Sequence, residues 1–191
     1  MSTLEVNTIT PQSGTTLTLG GSGQTVAIGS GATAGFGKIA QIVQTTKTNS
    51  FTTTSTSWVD ITGFSCSITP SSTSSKVLVN VTCGPIANSG SWGNFINLLR
   101  GSTVLISNTD GGGADSRDAW NGSGGATDTD ASRIMLAPSI VYLDSPSSTS
   151  ALTYKCQFQN GGGSTTSYFN RWGVNNDHAG VSTITLMEVL A

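Results

Sequence analysis

The residues best equipped for chemistry in this 191-residue chain lie in one segment, 108–130. It holds five of the eight aspartates, Asp110, Asp115, Asp118, Asp128 and Asp130, together with Trp120 and Asn121. Carboxylates and amides accept hydrogen bonds from sugar hydroxyls or coordinate a cation, and an indole face stacks on a sugar ring. A long irregular stretch inside a compact domain is either functional or a solvated loop kept soluble by its charge. We take these seven residues as candidates for receptor contact. Calcium is the weaker use, because Asp110-Gly111-Gly112-Gly113-Ala114-Asp115 lacks the alternating ligands and closing Glu of an EF-hand loop. No metal site is expected.

Catalysis fails on inventory. His178 is the only histidine, beside Asp177 in a turn-like run, and no nucleophile motif accompanies it. The glycine-rich stretch before Lys38 is no phosphate loop, since Ala32 stands where the first glycine belongs and Ile39 follows the lysine. A glycosidase needs two fixed carboxylates, which a loop of aspartates does not supply. The three cysteines, Cys66, Cys83 and Cys156, fall on strand-like segments without metal-ligand spacing, so buried free thiols are expected. The sequence predicts a protein that is not an enzyme and needs no cofactor.

The elements that position these residues are strands. Ser and Thr together make 57 residues and Gly 24, against four Lys and two Glu, so helix formers are scarce while β-branched and turn residues dominate. In Leu152–Gln159 every even position is apolar and every odd one polar, and Val77, Val79, Val81 and Cys83 keep the same period. Loop chemistry at 70–75, 100–102, 145–150 and 161–164 separates some eight to ten short strands between Lys38 and Ala191. That count suits an all-β jelly-roll sandwich better than an up-and-down barrel.

Three segments, 95–99, 139–143 and 185–190, carry apolar residues at both parities. Their second faces need cover, from a neighbouring subunit or from an overlying loop. Glu188 shares the parity of Ile184, Leu186 and Leu190; it either pairs with an arginine across a subunit interface or is partly exposed at the strand end. Trp92, Tyr168, Phe169 and Trp172 stand near turns, where they either plug the ends of the core or line a binding surface.

Residues 1–36 differ from the rest. Thr16-Leu17-Thr18-Leu19-Gly20-Gly21 returns nine residues later as Thr25-Val26-Ala27-Ile28-Gly29-Ser30. Each copy is one short strand whose apolar pair has nothing nearby to cover it, so intertwining with identical chains is expected. The predicted organisation is an N-terminal trimerisation and docking segment, 1–36, and a head domain, 37–191. Candidate trimer-interface residues are Leu17, Leu19, Val26, Ile28, Leu186, Met187, Glu188 and Val189. A net charge of -2 and pI near 5.1 give no footprint for nucleic acid. The N-terminus lacks the basic start and apolar core of a secretory signal, and no stretch has the length of a membrane span, so a soluble chain made in the cytoplasm, without membrane insertion, is expected.

The run Gly37-Lys38-Ile39-Ala40-Gln41-Ile42-Val43-Gln44, then Ser57-Trp58-Val59-Asp60-Ile61, Ser67 to Val79, Leu143-Asp144-Ser145-Pro146 and the closing Ile184 to Val189 resemble the C-terminal heads of tail fibres and related virion proteins of tailed bacteriophages, particularly marine ones. The segment from Leu4 to Ile9 and the repeat after it are similar to the β-structured stretches that precede such heads. The resemblance implies a homotrimer in the virion, with jelly-roll heads like those of tumour necrosis factor or complement C1q. It also implies other virion proteins as partners of the N-terminal segment and a host cell-surface glycan or protein as receptor. A capsid-attached fibre or decoration protein of the same fold is the alternative, with a polysaccharide-degrading enzyme behind it. The family supplies no catalytic motif.

Overall fold

A computed structural model of the chain describes Ser22 and residues 39–89, 94–106, 120–122, 137–162, 164–172 and 178–190. The chain divides between Gly37 and Lys38, and every described strand belongs to the second unit. Leu17, Leu19, Val26 and Ile28 lie outside the described residues.

The described residues form strands without a helix. β1 (Ile39–Lys47), β14 (Ser182–Val189), β4 (Lys76–Thr82) and β9 (Ser139–Asp144) make one antiparallel sheet in the order β1-β14-β4-β9. The second sheet runs β3 (Val59–Ile68), β10 (Leu152–Asn160), β6 (Asn94–Arg100), with β7 (Thr103–Val104) and β8 (Trp120–Gly122) both on the free side of β6. β2 (Phe51–Thr53), β11 (Ser167–Phe169) and β5 (Ile86–Asn88) form a small third sheet, and β12 (Arg171–Trp172) pairs with β13 (His178–Ala179).

The pairing has a simple logic. β1 meets β14, β3 meets β10, β4 meets β9, and β6 meets β7 and β8, so the chain is one long hairpin laid back along itself. Rolling that hairpin brings β14 against β4 and β10 against β6, which is the jelly-roll strand order. The sequence expectation of a jelly-roll sandwich therefore holds for the single chain.

Alternation fills the core. Val77, Val79, Val81, Ile184 and Leu186 from one sheet face Phe64, Ile96, Leu98, Tyr154, Cys156 and Phe158 from the other, all fully buried. Burying each such apolar side chain contributes roughly 1.5–3 kcal/mol. Phe169 closes the core against Phe64 and Phe158, with ring centroids at 5.3 and 5.9 Å. It is a core plug; Tyr168 beside it is half-buried and carries the Arg171 guanidinium over its ring at 4.5 Å. Trp92 and the side chain of Trp172 lie outside the described residues.

In β3 the inward parity changes between Ile61 and Phe64, where the register against β10 shifts. Gly63 stands in that bulge at φ +74°, a conformation that disfavours any residue with a Cβ. Cys66, Cys83 and Cys156 are free thiols buried in the core, as their strand positions predicted. Burial pushes Cys83 up to about 12.

Candidate functional site

The outer side of β3 and β10 and the outer face of the other large sheet are opposite in character. On β3 and β10 the outward side chains form a polar ladder. Lys155 Nζ binds Asp60 Oδ2 at 2.6 Å, Gln157 Nε2 donates to Asp60 Oδ1 at 2.9 Å, and the Ser67 and Thr153 hydroxyls meet at 2.9 Å. These groups satisfy one another and leave no apolar surface.

The outer face of β1-β14-β4-β9 is the reverse. Register places Ile42 beside Met187, Met187 beside Leu78, and Leu78 beside Leu143, one unbroken apolar row across four strands. The next row is Gln44, Thr185, Asn80 and Val141, with Gln44 Nε2 donating to Thr185 Oγ1 at 2.7 Å. Ile42 is 59% exposed, Val141 66% and Leu143 48%. Lys76, beside Val189 at the end of the face, is its one charged residue among those described.

Beneath the apolar row, on the inner side, register aligns Gln41, Glu188, Val77 and Asp144. Glu188 is fully buried, and its partners among the described residues are neutral: Gln41 Nε2 donates to Oε2 at 2.7 Å, and the Ser71 amide and hydroxyl donate to Oε1 at 2.7 and 2.6 Å. Burial alone would raise its pKa, but these hydrogen bonds outweigh that and hold the carboxyl at about 2. Asp144 accepts from Arg100 Nη1 at 2.6 Å and from Tyr154 Oη at 2.7 Å. Burial first, then the Asp144 charge, pushes the Tyr154 phenol well up. Both carboxylates are consumed by internal partners and covered, which removes them as catalytic groups.

These positions revise the expectations for the last strand. Leu186 and Glu188, expected at a subunit interface, point into the sandwich instead, because β14 lies between β1 and β4 with its even-numbered residues inward. The partner of Glu188 is not an arginine but a glutamine and a serine of its own chain. Met187 and Val189 do face outward, half-buried. Sequence reading missed Ile42, Leu78 and Val141; the signal was the two-sided apolar pattern, whose outer members only the register brings together. Of the three two-sided segments, 95–99 is covered within the chain, with Leu99 and Asn97 buried as well as Ile96 and Leu98. Those on β9 and β14 are not.

The Asp-rich segment also changes. β7 and β8 run in the same direction along successive stretches of β6, so they are one interrupted edge strand. Trp120 and Asn121 therefore sit in a strand rather than in a loop, opposite Ile96 and Phe95. Asp110, Asp115, Asp118, Asp128 and Asp130 lie outside the described residues, and of the side chains of Trp120 and Asn121 nothing further is described. His178 pairs in β13 with Trp172. Among the described residues no cluster of His, Cys, Asp and Glu is placed to hold a metal ion.

What the strands define is an all-β, two-sheet jelly roll. No protein-family model matches the sequence, and no curated protein matches it. Among solved structures, the chain is similar to the infectious bursal disease virus VP2 subviral particle at 14% identity and TM-score 0.35, over 88% of this chain and 42% of that one. The T=1 particles derived from the same virus match at 13% identity and TM-score 0.33, over 88% and 41%. The chain thus spans under half the length of these proteins, and likeness at this level carries no functional argument.

Proposed function

We propose that this chain is a structural protein of a bacteriophage virion, a short tail fibre whose homotrimeric heads present surfaces for host attachment. The observation that supports it is the polarity of the sandwich. β1 opens at Ile39 opposite Val189, so the start of the first described strand of the head and the end of the last share one end of the sandwich. Compact turns at 69–75, 101–102 and 145–151 share that end. The strand ends Thr82, Asn160, Gly122 and Ser139 lie at the opposite end. A head whose first strand enters at the end that carries the compact turns leaves the other end to present. Three heads per fibre and several fibres per particle would turn weak contacts into firm attachment.

The test is competition. Purified full-length protein should slow adsorption of the parent phage to its host, and antibody to the head should decorate tails on intact particles. Decoration of the capsid without effect on adsorption would replace this reading by that of a capsid decoration protein.

A further inference from the structure

We infer that the outer face of the β1-β14-β4-β9 sheet is the surface on which a second copy of this chain docks, with the row Ile42, Met187, Leu78 and Leu143 at its centre. The inference rests on the homotrimer of the proposed function and names the face that makes it.

Size comes first. β14 runs eight residues and four strands lie side by side. At about 3.4 Å per residue and about 4.8 Å between strands, the face measures roughly 27 Å by 19 Å, about 500 Å² before side-chain relief. That is below the roughly 800 Å² per partner of a stable interface, so the flanking turns must contribute to it. The apolar row, extended by Val141 in the row beside it, is the band across this face that water covers least favourably.

The composition then selects a copy of the same chain. Around a rotation axis, a residue near the axis meets its own kind, so charges there repel while apolar groups and groups that both donate and accept are self-complementary. This face is made of such residues: four apolar side chains in one row, then Gln44, Thr185 and Asn80 in the next, with its one described charge, Lys76, at the margin. A partner recognised by charge would find nothing here to hold. The polar ladder on the opposite sheet, closed by Lys155, Asp60 and Gln157, is the side left to solvent.

The experiment uses the full chain. Wild type should scatter light as three times the 19.5 kDa chain mass. Ile42→Lys and Leu143→Lys, both at positions already half or more exposed in one chain, should each cut the mass threefold while keeping the β-sheet circular dichroism signal. Thr153→Lys on the polar face should leave the mass unchanged. A wild-type monomer at micromolar concentration overturns both the trimer reading and this inference. A wild-type trimer that both lysine variants preserve overturns the interface alone. Should the variants misfold, hydroxyl-radical footprinting of the wild-type trimer decides: protection of Ile42 and Leu143 several-fold below their labelling in diluted monomer supports the interface, and equal labelling refutes it.

Discussion

Replacing Glu188 by Gln tests whether a buried carboxylate without a cation can be held charged by neutral donors. Glutamine keeps the volume and can still accept from the Ser71 amide and hydroxyl, but it gives up the charge that shortens those contacts to 2.6–2.7 Å. The folded-state pKa of about 2 lies below the ordinary 4.5. For a depressed pKa the stabilisation is complete above the unfolded value and is lost as pH falls through the folded one, here between about 4.5 and 2. At about 1.4 kcal/mol per unit the ceiling is about 3.5 kcal/mol. Because Gln41 is half-buried and Ser71 exposed, water screens the site and about 2 kcal/mol is the better expectation. Urea unfolding followed by tryptophan fluorescence, at equal protein concentration, should show the variant about 2 kcal/mol weaker at pH 6. The gap should fall to roughly a quarter of that by pH 2.5 and vanish only below pH 2. Asp60, whose own carboxyl is lowered by hydrogen bonds from Lys155 and Gln157, titrates equally in both proteins and cancels. A gap of constant size from pH 6 to 2.5 would refute the reasoning.

Other outcomes follow from single contacts. Gly180→Ala places a Cβ 2.0 Å from Pro85 Cδ, so overpacking of roughly 1–3 kcal/mol should lower Tm by several degrees in a thermal melt. Asn170, at φ +58°, donates to the Lys47 carbonyl and accepts from the Ser182 hydroxyl, which in turn accepts from the Gly84 amide. Asn170→Ala should cost about 2–4 kcal/mol in urea unfolding, and Asn170→Gly less, since glycine keeps the backbone conformation. Tyr154→Phe strips one of the two donors from Asp144 and should cost about 1–3 kcal/mol. Cys83 and Cys156 should not react with a disulfide reagent until denaturant is added; prompt reaction in native buffer would contradict their burial.

The period-2 runs at 77–83 and 152–159 located two central strands because alternation is written in the side chains themselves. The partner of each strand is not local information. That Ile42, Met187, Leu78 and Leu143 align depends on three registers linking residues 145, 109 and 65 positions apart, and no window of sequence holds that. Glu188 was noticed as a carboxylate on an apolar parity, but its donors come from a turn at Ser71 and from β1, so its partner was beyond reach of pattern reading. The bulge in β3 hid the phase of Ile61 against Phe64, which a strict alternation would set on opposite faces. Trp120 was assigned to a loop because its strand is three residues long and is recognisable only by its pairing with β6.

The rolled hairpin has a consequence for synthesis. β14 is a central strand, between β1 and β4, yet of the described strands it is the last to be made. Until it leaves the ribosome, β1 and β4 have no neighbour in common and the head holds an open slot lined with backbone donors and acceptors. When many copies are translated side by side, the slot of one nascent chain is open to the finished β14 of another, so exchange of that strand is the error this topology invites. Slow translation of 182–189 would prolong the opening, and rapid translation would shorten it.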